Sequence, residues 1–178
     1  NRLSANEECR KDMVKVTQTF NALAKIMKAN HMKKLVLKAA CSALSNLSKE
    51  EDIIQILLSK PFSGLAIDAM DICPDCEELQ TDACTFLMNM GLNKHLIYAQ
   101  SVNGSSNPEA SVEICSAEGI HCIIKAMQTF PTSASLQQAA CGAINAITKG
   151  DAHKDLALNA GVVDVILYSL LVHPDDIK

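Results

Sequence analysis

Apolar residues in this chain recur at intervals of three and four rather than alternately, which is the spacing of one helix face. The pattern is clearest in three segments, VLKAACSALSNLS at 36–48, LQTDACTFLMNMG at 79–91 and LQQAACGAINAIT at 136–148. Superimposed, they match position by position: Ala40, Ala83 and Ala140, then Cys41, Cys84 and Cys141, then Leu44, Leu87 and Ile144, then Leu47, Met90 and Ile147. Each is predicted to be a helix with a cysteine on its apolar face. Fourteen residues before each cysteine stands a methionine, Met27, Met70 or Met127, in the segments LAKIMK, LAIDAMD and CIIKAMQ. The likeness therefore extends over two successive helices. Strictly alternating β-branched runs of the kind that pair into a sheet are absent, and the expected class is all-α.

The intervals define a unit. Cys84 follows Cys41 by 43 residues, Cys141 follows Cys84 by 57, and Leu170, in VVDVILYSLLVHP, follows Met127 by 43. Pro74, Pro131 and Pro174 each stand four residues after Met70, Met127 and Leu170, where proline ends a helix, and His31 takes that place after Met27. Four copies of one unit fill the chain. A helical unit of about 40 to 47 residues is the period of armadillo and HEAT arrays. The segment HKDLALNAGVVDVILYSLLVHPDD, with Ala160-Gly161 at a sharp turn between a short helix and an apolar one, resembles the armadillo consensus, and LQQAACGAINAI is similar to its third helix. The resemblance covers almost the whole chain and implies a right-handed α-solenoid with three helices per repeat. On this division residues 1–5 end a preceding third helix, and 6–48 and 49–91 are complete repeats. Residues 92–148 are a repeat with an inserted loop near 98–111, and 149–178 hold the first two helices of another. The chain then reads as a fragment of a longer array, with Val165, Leu167 and Leu171 partly uncovered and self-association through the open ends expected.

Composition changes the picture of the core. Hydrophobic residues are 48% of the chain but aromatics only 3%, with no Trp, so Ala, Leu, Ile, Val, Met and Cys must pack closely stacked helices. No apolar run reaches the roughly 18 residues of a membrane span, and no secretory signal is read at the start. The expected location is cytoplasmic or nuclear. The net charge of −4 hides an asymmetry: residues 1–49 carry 10 Lys and Arg against 3 Asp and Glu, residues 50–118 carry 2 against 12, and the remainder 4 against 5. The basic run KIMKANHMKKLVLK could meet an acidic peptide or phosphate and the acidic middle a basic one, or both could be solvated surface. Without aromatic interleaving, nucleic acid is not an expected partner.

Eight cysteines would suggest a disulfide scaffold in a short secreted chain, but the repeat accounts for most of them. Cys41, Cys84 and Cys141 share one core position, where a free thiol acts as a small hydrophobe, and Cys122 aligns with Val165 and Leu65. Only CPDC, Cys73 to Cys76, resembles chemistry, because a Cys-x-x-Cys pair can depress a thiol pKa. A thioredoxin-like site needs a βαβ surround and a zinc site two further ligands. Here the pair falls at a helix junction, Cys73 aligned with Phe130 and Cys76 with Ser133. The readings are a turn with incidental thiols, an adventitious metal or disulfide, and a redox site, in that order. No phosphate loop, nucleophile elbow or paired-carboxylate motif occurs, and KEEDIIQ places acids at a helix start, where they favour the dipole. The expectation is a protein that is not an enzyme, with no cofactor and no metal.

The armadillo resemblance further implies that third helices line a concave groove in which a partner segment lies extended. In importin-α, a nuclear import receptor of that family, the third helix carries a Trp that packs ligand side chains and, four residues on, an Asn that holds the ligand backbone. The Asn position here is Asn46 and Asn89 in the first two repeats but Ala146 in the third, where Asn145 stands one residue early. The Trp position holds Ser42, Thr85 and Gly142. Lys38, Thr81 and Gln138 are equivalent flanking positions. These residues either touch a ligand or are ordinary polar residues of a helix surface. The function expected is a protein-interaction scaffold binding an extended segment, acidic where it meets Lys38. The alternatives are a transport receptor of importin-α type, disfavoured by the missing groove Trp, and a redox or metal protein using Cys73 and Cys76. The segment YAQSVNGSSNPEAS, 98–111, is either a loop on the binding face or a tolerated insertion.

Overall fold

Several helix boundaries fall where the sequence supplies breakers. The computed structural model describes residues 2–92, 117–148 and 151–174, and among these there are nine helices and no strand. They are α1 (Arg2–Ala29), α2 (Lys34–Leu47), α3 (Glu51–Leu58), α4 (Phe62–Ile72), α5 (Glu77–Leu92), α6 (Ala117–Thr129), α7 (Ala134–Ile147), α8 (Asp151–Asn159) and α9 (Val162–Val172). The inserted loop near 98–111 lies outside the described residues. Residues 6–48, expected to divide into three helices, divide into two, because α1 runs unbroken for 28 residues. No Gly or Pro occurs from Arg2 to Ala29, so nothing interrupts its hydrogen-bond ladder. Elsewhere the breakers act. Pro61 separates α3 from α4, and Gly161, at φ 83°, takes the left-handed conformation that lets α9 leave α8 at 69°.

The turns into α2, α5 and α7 repeat one hydrogen-bond pattern. Lys33 N–H donates to Asn30 C=O at 2.8 Å, Cys76 to Cys73 at 3.2 Å and Ser133 to Phe130 at 3.2 Å. In the next step Leu37 donates to Lys33, Gln80 to Cys76 and Gln137 to Ser133. The helix ends before these turns share a bond too, Asn30 to Ile26, Cys73 to Ala69 and Phe130 to Ala126, and His173 to Ser169 repeats it at the end of the last helix. The sequence register of 43 and 57 residues is thus also the register of the backbone.

A pair of buried glutamines closes two of these turns. Gln80 Nε2 donates to Met70 C=O at 2.7 Å and Cys73 C=O at 3.0 Å, and Gln137 Nε2 donates to Met127 C=O at 2.9 Å and Phe130 C=O at 3.0 Å. The reason lies four residues after each methionine, where Pro74 and Pro131 have no N–H to offer the helix-end carbonyl. In the first copy His31 retains an N–H at that place, and the glutamine position is filled by Leu37, 2% exposed.

Packing follows two rows. α5 lies between α2 and α7 and packs most extensively on α7, while α4 contacts α1, α5 and α6, and α9 contacts α6 and α8. Between α5 and α7 the backbones come close at Gly91, where an added Cβ would sit 2.8 Å from the Ala146 Cβ. Three aromatics belong to the core, with Phe20 edge-on to Phe62 at 5.9 Å and Phe62 and Phe86 fully buried. The first two cysteines of the shared position are closed over by the next copy. Cys41 is near Cys73, Cys76 and Asp82, and Cys84 is near Cys122 and Cys141. Both are fully buried, but Cys141, expected to be buried like them, is only partly so. Among the described residues no third helix of a following copy covers it.

Candidate functional site

A cleft of about 620 Å³ spans α2, α5 and α7, the three helices that carry the aligned cysteines. From α2 it is lined by Leu35, Lys38, Ala39 and Ser42, from α5 by Glu77, Glu78, Thr81 and Asp82, and from α7 by Ser135. All but Ser42 are first- and second-turn positions. Leu35, Glu78 and Ser135 occupy equivalent places in the three copies, as do Ala39 and Asp82, so much of the lining repeats matching positions of neighbouring copies.

Of the residues selected from sequence, Lys38, Ser42 and Thr81 line this cleft. Thr81 Oγ1 donates to Glu77 C=O and Thr85 Oγ1 to Thr81 C=O, both at 2.9 Å, which orients each hydroxyl along its own helix. The asparagines behave differently from a uniform ladder. Asn46 is exposed, and its Oδ1 accepts from Lys49 Nζ at 3.0 Å. Asn89 is partly buried and its Nδ2 donates to Ser48 Oγ at 2.9 Å, while Ser48 Oγ donates on to Ser45 C=O at 2.9 Å. Asn89 thus ties α5 to the end of α2. Gln138 and Asn145 are exposed on α7 away from the cleft lining. At the third Trp-equivalent position, Gly142 lies beneath the Met88 side chain, and a Cβ there would overlap the Met88 sulfur.

Charge in the cleft is not distributed as the sequence totals suggest. Lys38 Nζ is paired with Glu78, and Lys34 Nζ is held by both oxygens of Asp75 at 2.7 and 3.0 Å. The hydrogen bond raises the Lys34 pKa and lowers that of Asp75. The lysines that would have attracted an acidic segment are thus engaged by the neighbouring copy. Glu77 and Asp82 have no ion pair among the described residues, and the cleft carries surplus negative charge. Reading the row of Lys38 from sequence missed Leu35, Glu77, Glu78, Asp82 and Ser135. One turn further toward each helix start would have found all but Asp82, which stands one residue after Thr81.

A second cleft, of about 710 Å³, lies on the other row between α1, α4 and α6, with Met27, His31, Asp68, Glu118 and His121 on its walls. Beside it Asp71 is tied to Lys125 at 3.1 Å. The CPDC pair forms the turn before α5. Cys73 is fully buried at the end of α4, and burial raises its thiol pKa despite the opposing pull of Lys34, which runs against thiolate chemistry. Among the described residues no group of three His, Cys, Asp or Glu side chains is placed to hold a metal ion, and no single helix is long and apolar enough to cross a membrane. No family model, no characterised protein and no solved structure matches this chain.

Proposed function

We propose that the chain is a non-enzymatic protein-interaction scaffold of armadillo type, which holds an extended partner segment across its third helices. The observation that carries this reading is the cleft itself. Three helices from three copies of one unit bring equivalent positions side by side at an open surface. An extended chain laid across them meets the same positions at each step. The importin-α alternative has weaker support, since Gly142 is covered by Met88 and Ser42 and Thr85 supply no aromatic wall.

The test fills the cleft. Ala39→Trp with Ser135→Trp substitutes two exposed lining positions and should leave the helical circular dichroism unchanged. Proteins retained by the immobilised wild type should be lost by the filled variant. Identical retained sets would move binding to another surface.

A further inference from the structure

We infer that the occupant of the cleft is an extended basic segment, carrying one apolar side chain and, about three residues along, a pair of lysines or arginines. This rests on the groove reading above and gives it a chemical class. Two independent features meet in the same cleft. Leu35 is 83% exposed on α2, a large apolar side chain left in water beside polar neighbours. On α5, across the cleft, Glu77 and Asp82 stand without ion pairs among the described residues, while the nearby cations Lys34 and Lys38 are already held by Asp75 and Glu78. An acidic segment would have to displace those internal pairs and approach two further carboxylates. A basic one completes the charge that is present.

The spacing follows from helix geometry. Packed helices lie about 8–10 Å apart, and an extended chain advances about 3.3 Å per residue, so a segment crossing from Leu35 on α2 to Glu77 and Asp82 on α5 covers about three residues. On α7 the lining is Ser135, which suits a small or polar residue beyond the basic pair.

The probe is a fluorescein-labelled peptide, Gly-Leu-Gly-Ser-Lys-Arg-Gly-Ser, followed by anisotropy. Controls replace Lys-Arg by Glu-Asp, or Leu by Gly. The basic peptide should bind and its charge-reversed form should not. Glu77→Gln with Asp82→Asn should weaken binding about tenfold, Leu35→Ser severalfold, and added salt progressively. Equal binding of the two charge forms, no binding of the basic peptide, or an unaffected Glu77→Gln, Asp82→Asn variant would overturn the inference. The cleft-filled variant separates the two levels. If the acidic peptide binds and filling the cleft abolishes it, the groove stands and the basic occupant falls. If filling the cleft changes no binding, both fall.

Discussion

Cys41 and Cys84 are fully buried, and loss of solvent pushes both thiols up to about 12. In the unfolded chain a thiol titrates near pH 8.5. The folded state holds both protons well beyond that, so their contribution to stability is complete below about pH 8.5 and is lost as pH rises toward 12. The slope is at most about 1.4 kcal/mol per pH unit for each thiol. Urea unfolding at pH 7.5 and pH 10 should therefore show a larger loss for the wild type than for the Cys41→Ala, Cys84→Ala variant; parallel losses would exclude the thiols as the cause. The buried glutamines allow a sharper test. Gln80→Leu leaves the Met70 carbonyl without its side-chain donor and should destabilise by about 1–3 kcal/mol. In a Pro74→Ala background, where an N–H is restored, the same change should cost less, and a denaturant double-mutant cycle measures the difference. The pairing of proline with glutamine was legible, since proline deletes a donor at a fixed place. It was missed because Gln80 and Gln137 look like polar residues on an otherwise apolar stripe, and nothing in a periodicity count says which backbone group a buried amide reaches.

Among the helices, α5 and α7 show how close approach overrides propensity. Replacing glycine by alanine inside a helix ordinarily stabilises by up to about 1 kcal/mol. At Gly91 the added methyl would meet the Cβ of Ala146 at 2.8 Å with backbone atoms at 3.4 and 3.6 Å behind it, so the helices themselves must separate. Gly91→Ala should lower stability by about 1–3 kcal/mol. Gly142→Ala faces the end of the flexible Met88 side chain instead, which can swing aside, and should lie within about 1 kcal/mol of the wild type. Thermal melts of the two variants check the contrast. At this scale the sequence was informative wherever apolar spacing and a breaker coincided, as at Pro61 and Gly161. It misled in residues 6–29, where the repeat pattern suggested a division that no residue in Arg2–Ala29 enforces.

Across the whole molecule, apolar exposure gathers at one end. Leu156 and Leu158 on α8 and Val163, Leu167, Tyr168, Leu170 and Leu171 on α9 are 40–79% exposed, whereas Val165, expected among the uncovered residues, is 8% exposed because it turns inward. A patch of this kind drives association. Sedimentation should become concentration-dependent, and Leu167→Lys with Leu171→Lys should suppress it; unchanged sedimentation would show that the patch is inert. The candidate groove was half legible. Its helices and three of its lining residues follow from the repeat, but its charge does not, because the Lys34–Asp75 and Lys38–Glu78 pairs join residues about 40 positions apart that only stacking brings together. The glutamine closures differ from those pairs in reach. Gln80 and Gln137 bond carbonyls only seven and ten residues back, inside their own copy, whereas the joints between copies are each made of different residues. In a lineage that grows by duplication, a new copy would inherit its own clasp intact, and only the seam against its neighbour would have to be invented afresh.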